Sequence, residues 1–266
     1  MQSSIDWTQP WYDSVRDTAQ AVSSDELSRA ALNRVCSTKG LTNHRDLPLS
    51  FVEQATLPKE LTYETFISIS GCVPTRNNLH DFFNALVWLS FPRIKKQLNA
   101  LQAANIASSG IGARRGALRD AATIFDENSA LLVVDHSARA KTIVEDLRAH
   151  NWVSALLEQR TFFEQNAQVW LFGHALMEKL ITPYKAITAH VWVASVNDGF
   201  FLLPHTQQRD FLDMQIAAEL AADEFTTACF TPLPVLGVPG WWHPQDLEFY
   251  QDSQVFRSKN RHQKKG

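Results

Sequence analysis

The sequence predicts an α+β protein dominated by helices, with a small mixed or antiparallel sheet. Three observations carry that. Apolar residues recur at helical spacing over several long stretches. Short β-like runs such as AITAHVWVASV lie between them without a regular strand–helix alternation. No internal repeat is present. The 266 residues are 45% hydrophobic and 20% charged, which is ordinary for a folded domain with one core. The chain divides into a helical segment over 1–45 packed on a main domain over 46–256, with a basic flexible tail over 257–266.

Trp11 to Lys39 reads as helices, the second capped by Ser23 or Ser24 with Glu26 in its first turn, and Gly40 ends it. Leu47 to Leu61 holds two prolines and reads as an extended connection. Tyr63 to Ser70 (YETFISIS) alternates as a half-buried strand would, closed by Gly71 and Pro74. Thr75 or Asn77 then caps a helix with Leu79, Phe82, Phe83, Leu86 and Val87 on one face. Pro92 breaks it and opens another, with Ile94, Leu98 and Leu101 inward. Ser108 to Gly116 is a glycine-rich linker.

Thr123 to Asp135 reads as a hairpin or a helix-to-strand turn centred on Asp126–Ser129. A helical region runs from Ala138 through Leu180, broken near Asn151 and ended by Pro183. Ala186 to Val196 is the clearest strand, followed by the Asp198–Gly199 turn. Arg209 to Phe225 is an amphipathic helix, and the proline- and aromatic-rich end packs irregularly.

Three widely spaced cysteines, Cys36, Cys72 and Cys229, indicate neither a disulfide framework nor a thiolate zinc site. The polar start and the lack of a long apolar run point to a cytoplasmic chain without a membrane partner. The net charge is −3, and the last ten residues hold five basic residues and no acid; without those five the body stands at −8. Phe82 to Arg119 has no acid but carries Arg93, Lys95, Lys96, Arg114, Arg115 and Arg119. That acidic body disfavours a broad nucleic-acid footprint.

The strings PTRNNLHDFFNALVWLSFPRIKKQLN, RDAATIFDEN, LFGHALMEKL and PLPVLGVPGWW, followed by FYQDSQVFR, resemble a proteobacterial family known as domain of unknown function 3025. The resemblance spans Leu32 to Arg257. It carries over no catalytic residue.

His174 and Glu178 stand one helical turn apart, on the face that also holds Phe163, Trp170, Met177 and Ile181. Such a pair supplies two metal ligands, or a base and its orienting partner. The plainer alternative is a structural His–Glu hydrogen bond. His80 and Asn84 share the same spacing, and His80 is expected to approach the His174/Glu178 pair. Asp81 reads as a first-turn acid favoured by the helix dipole, and Asn84 as a surface amide. Asp126 and Glu127 sit in the predicted turn and suit a hard ion or a general acid/base role.

His80, His174, Glu178 and Asp126 together would form a mixed nitrogen–oxygen set for Zn, Mn or Fe. Arg76, Arg114, Arg115 and Arg119 are the candidates for gripping an anion. GxSxG, P-loop, GxGxxG, HExxH and CxxC motifs are all absent. The leading expectation is metal-assisted hydrolysis of a phosphate-bearing or other anionic small molecule. Its alternatives are a non-catalytic nucleic-acid- or anion-binding module, and a structural or partner-binding protein.

Overall fold

The computed structural model describes residues 5–22, 28–109, 116–222 and 224–259. Its centre is β3 (Ser129–Val134), whose six residues are all buried. It pairs antiparallel with β4 (Ala167–Leu171) and parallel with β5 (Thr188–Ser195), which pairs antiparallel with β6 (Thr231–Pro234). The four-stranded sheet is therefore mixed, in the order β4-β3-β5-β6. A separate parallel pair joins β1 (Ser50–Glu53) to β2 (Cys72–Thr75).

The helices are α1 (Arg16–Val22), α2 (Arg29–Thr38), α3 (Tyr63–Ser70), α4 (Leu79–Ser90), α5 (Pro92–Ser109) and α6 (Ala117–Asn128). They continue with α7 (Ala138–Ala149), a π-helical turn (Val153–Glu158), α8 (Arg160–Asn166), α9 (His174–Lys179), α10 (His205–Ala222) and α11 (Leu247–Gln251). This is the helix-dominated α+β architecture with a mixed sheet that the sequence predicts.

The most apolar helix is α4, buried from Asp81 to its end. Trp88, Phe83, Leu86 and Leu89 on it are almost fully enclosed, and Tyr12 stacks on Phe83 with centroids 5.7 Å apart. The chain turns at Phe91 into α5, whose first amides are capped from outside. Asp213 of α10 accepts from Arg93 N at 3.0 Å and from Ile94 N at 2.9 Å. That external cap ties α5 to α10 by satisfying first-turn amides that have no intrahelical acceptor.

Several elements differ from the sequence reading. Tyr63–Ser70 is a helix, not a strand. Thr62 caps it by accepting from Thr65 N at 3.3 Å, and Gly71 ends it in the left-handed region at φ 71°. Strand alternation would place Ile67 and Ile69 on one face, but Ile67 is buried and Ile69 is exposed. The cap of α4 is Asn78, accepting from Asp81 N, whereas Thr75 is a buried residue of β2. Of the hairpin and the helix-to-strand turn read around Asp126–Ser129, the structure has the second: Asp126 and Glu127 lie in the last turn of α6, and β3 begins at Ser129.

The predicted 138–180 helical region contains β4, which owes its identity to β3: Trp170 faces Leu131 and Val169 faces Leu132 in register. The proposed caps Ser23 and Ser24, together with Arg114 and Arg115, lie outside the described residues. The tail departs from the expected loose end at its first residue. Arg257 O accepts from Trp152 Nε1 at 2.8 Å and from the His150 ring at 3.2 Å. No helix among the described residues is long and apolar enough to cross a membrane.

Candidate functional site

One close backbone approach builds the site. Gly173 follows β4, and its amide donates to Ser129 O at 2.8 Å. A Cβ there would lie 2.5 Å from Glu127 O and Ser129 N, so only glycine lets the chain cross the α6–β3 junction. The next residue, His174, opens α9 directly against the last turn of α6. Its Nδ1 sits 2.7 Å from Asp126 O. A carbonyl only accepts, so this nitrogen carries the proton. His174 is 5% exposed, and burial pushes its imidazole down to about 4. The ring is therefore neutral near pH 7, and its Nε2 is an acceptor.

Opposite stands His80, one residue into α4. The two Nε2 atoms are 3.1 Å apart, with ring centroids at 4.6 Å and planes at 75°. His80 Nδ1 lies 3.0 Å from Glu178 Oε2. The side chains of His80 and Glu178 are 35% and 40% exposed. The structure thus brings His80, His174 and Glu178 into one chain, Glu178–His80–His174, buried at one end and open at the other. Glu178 is not buried with His174 as the sequence stripe suggests. The reason is that α9 begins only at His174, while Trp170 belongs to β4 and Phe163 to α8.

Asp126 forms the floor. Lys95, 4% exposed, donates to Asp126 Oδ1 at 2.5 Å and to Asn84 Oδ1 at 2.8 Å. Asn84 Nδ2 in turn donates to Tyr63 Oη at 2.9 Å. Asn84 is thus a buried bridge, not a surface amide. Burial opposes ionisation of Asp126, but the Lys95 ammonium and the His174 ring outweigh it and hold the carboxyl below its usual range. Asp81 is likewise buried, and Arg76 clamps it through Nε at 3.0 Å and NH2 at 2.9 Å.

The four proposed metal donors do not converge on a common point. His174 Nδ1 faces a carbonyl, His80 Nδ1 faces Glu178, and Asp126 is held by Lys95. Among the described residues, no three of His, Cys, Asp and Glu are placed to hold a metal ion together.

His80, His174, Asp81, Asn84 and Asp126 line one cleft of about 410 Å³, a size suited to a small metabolite. Arg76, Arg119 and Glu127 line it too. The Arg119 guanidinium makes no hydrogen bond or ion pair with any described residue. The cleft also contains Glu64, which the strand assignment of YETFISIS hid. Asn99 Nδ2 donates to Glu64 Oε2 at 2.7 Å. The Gln102 amide, turned with nitrogen toward the carboxylate, adds contacts of 3.2 and 3.3 Å. Burial pushes the Glu64 carboxyl up. The helical spacing of Tyr63, Phe66 and Ile67 was the available signal for Glu64; nothing in the sequence pairs Lys95 with Asp126.

A family model described as "Protein of unknown function (DUF3025)" matches residues 49–260. The chain belongs to this family. No curated protein matches it, and no solved structure does. The DUF3025 match contains every lining residue of the cleft, from Gln54 to His174, together with Glu178 and Lys95.

Proposed function

We propose that the cleft is the active site of a hydrolase acting on a small phosphate-bearing or otherwise anionic substrate. The observation that carries this reading is the Glu178–His80–His174 chain. The buried neutral His174 offers only a lone pair at Nε2, so His80 meets it as an N–H donor. His80 Nδ1 simultaneously faces the Glu178 carboxyl. One proton is therefore shared by the His80–Glu178 pair at the exposed end of the chain. The substrate or an attacking water exchanges a proton with His80 by taking the place of Glu178 at Nδ1, and the displaced Glu178 carboxylate balances the charge of the ring. His174 positions the ring and stays out of the proton transfer. Arg119, with no hydrogen-bond or ion-pair partner among the described residues, meets the anionic group.

The test is turnover of p-nitrophenyl phosphate, bis-p-nitrophenyl phosphate and p-nitrophenyl acetate by the full chain. Turnover of at least one is expected, falling about 10²–10⁴-fold in His80→Ala, the usual scale for losing a general acid–base group. Arg119→Ala should chiefly raise KM for the phosphates. Absence of turnover with all three, or activity indifferent to His80→Ala, overturns the reading.

A further inference from the structure

The charges lining the cleft do not cancel, and what is left describes a ligand. Asp81 is matched by Arg76, Asp126 by Lys95, and Glu178 by the His80 ring. After these pairs, three charged side chains remain in the cleft: Arg119, Glu64 and Glu127. Arg119 and Glu127 make no hydrogen bond or ion pair with any described residue. Glu64 receives only neutral amide donors, from Asn99 and Gln102, and no cation lies within ion-pair distance of it among the described residues. Lys95 and Arg119 attract the Glu64 carboxylate without pairing with it, and its burial outweighs them; a partly buried carboxylate without a paired cation is costly, and so is a guanidinium with no acceptor.

From this residue we propose that the substrate is a small zwitterion, its anionic group on Arg119 and an ammonium group on the Glu64/Glu127 side of the same cleft. The inference rests on the hydrolase reading only for its use of Arg119 as the anion partner. An ammonium supplies at contact the counter-charge that Lys95 and Arg119 give Glu64 only at longer range, so its arrival should draw down a carboxyl held high by burial. The volume of about 410 Å³ accommodates both charged ends of such a molecule with a short spacer. A monoanion alone would satisfy Arg119 and leave both carboxylates without a partner. The anionic end can be a phosphate or a carboxylate, since a guanidinium fork suits either.

The experiment is calorimetric titration of the full chain with two matched pairs. Phosphoethanolamine is compared with propyl phosphate, and 3-aminopropanoate with butanoate; each pair differs in the ammonium alone. In at least one pair the ammonium compound should bind about ten- to a hundredfold more tightly, the range of one charge-assisted contact. That preference should collapse in Glu64→Gln or in Glu127→Gln, while Arg119→Ala weakens both members of the pair. The pair that responds identifies the anionic end. Equal binding within each pair, or a preference retained in both glutamine variants, overturns the zwitterion and leaves the anion site standing. No binding of any of the four overturns both.

Discussion

His80 and His174 face each other Nε2 to Nε2 at 3.1 Å, and the second nitrogen of each ring is committed elsewhere, to Glu178 and to the Asp126 carbonyl. The two rings are chemically unlike. One is enclosed and neutral, the other open to the cleft beside a carboxylate. That asymmetry gives separable outcomes for the two residues and their surroundings.

The first concerns acid. His174 is held at about 4 in the folded protein against 6.5 for a free imidazole. Between those values the unfolded chain binds the extra proton and the folded chain does not. The contribution of His174 is therefore intact above pH 6.5 and is lost as pH drops toward 4, by up to roughly 3 kcal/mol for a shift of this size. In His174→Gln, melting temperature should fall less steeply across this window. Asp126, held below its ordinary 3.8, adds its own loss as pH falls through that value, where the unfolded carboxyl takes up a proton that the folded one does not. Asp213, raised to about 6 by burial, gains stability over the same window, so the comparison with the variant is the test: a His174→Gln protein whose melting temperature falls as steeply as the wild type's from pH 7 to 4.5 would refute the assignment.

Gly173→Ala is expected to strike the fold and the site together. The new Cβ would meet three backbone atoms of 127–129 at 2.5–2.6 Å, none of which can rotate away. Overpacking of this kind costs about 1–3 kcal/mol or more. The accompanying shift of His174 should break its contact with His80, visible as a changed imidazole titration by NMR. Wild-type stability would mean that the junction is looser than the distances indicate.

Part of the sheet was legible in the chain. VWVAS announces β5 by β-branched and aromatic density, and the apolar periodicity of α4 survives intact. β4 was hidden because AQVWL is a strand only by virtue of its partner β3. YETFISIS satisfies both periods over eight residues, and its cap and terminal glycine decide for helix. The approach of His80 to His174 and Glu178 could be anticipated from matched spacing and apolar borders. Lys95 could not, because a lysine in an acid-free run looks like a solvated face. Only the tertiary fold supplies Asp126 and Asn84 as its partners.

At the C-terminal side, two truncations should differ. Ending the chain after Ser258 keeps the Arg257 carbonyl that accepts from Trp152 Nε1. Ending it after Phe256 removes that carbonyl and strands an indole N–H. The shorter chain should lose about 1–3 kcal/mol more in urea denaturation, the penalty of one buried unsatisfied donor. Equal midpoints would show that another acceptor or water replaces it.

Lys95→Met is the most demanding substitution under the cleft. The ammonium is nearly enclosed, between Asp126, Asn84 and the Trp88 ring at 5.1 Å. Methionine fills similar volume but leaves the Asp126 carboxylate without its cation, and breaking one side of a buried ion pair costs about 3–5 kcal/mol. Asp126→Asn alone should cost less, because the amide oxygen still accepts from Lys95. In the Lys95→Met, Asp126→Asn double variant no uncompensated charge remains, so its loss should be smaller than the sum of the singles by about 1–3 kcal/mol. Urea denaturation of the four proteins measures that coupling. The same double variant keeps the Asp126 backbone carbonyl, so it should retain the His174 hydrogen bond and the His80 contact beyond it. Additive losses would mean that Lys95 and Asp126 are independently solvated, and that the floor of the cleft is not the linked network their 2.5 Å contact describes.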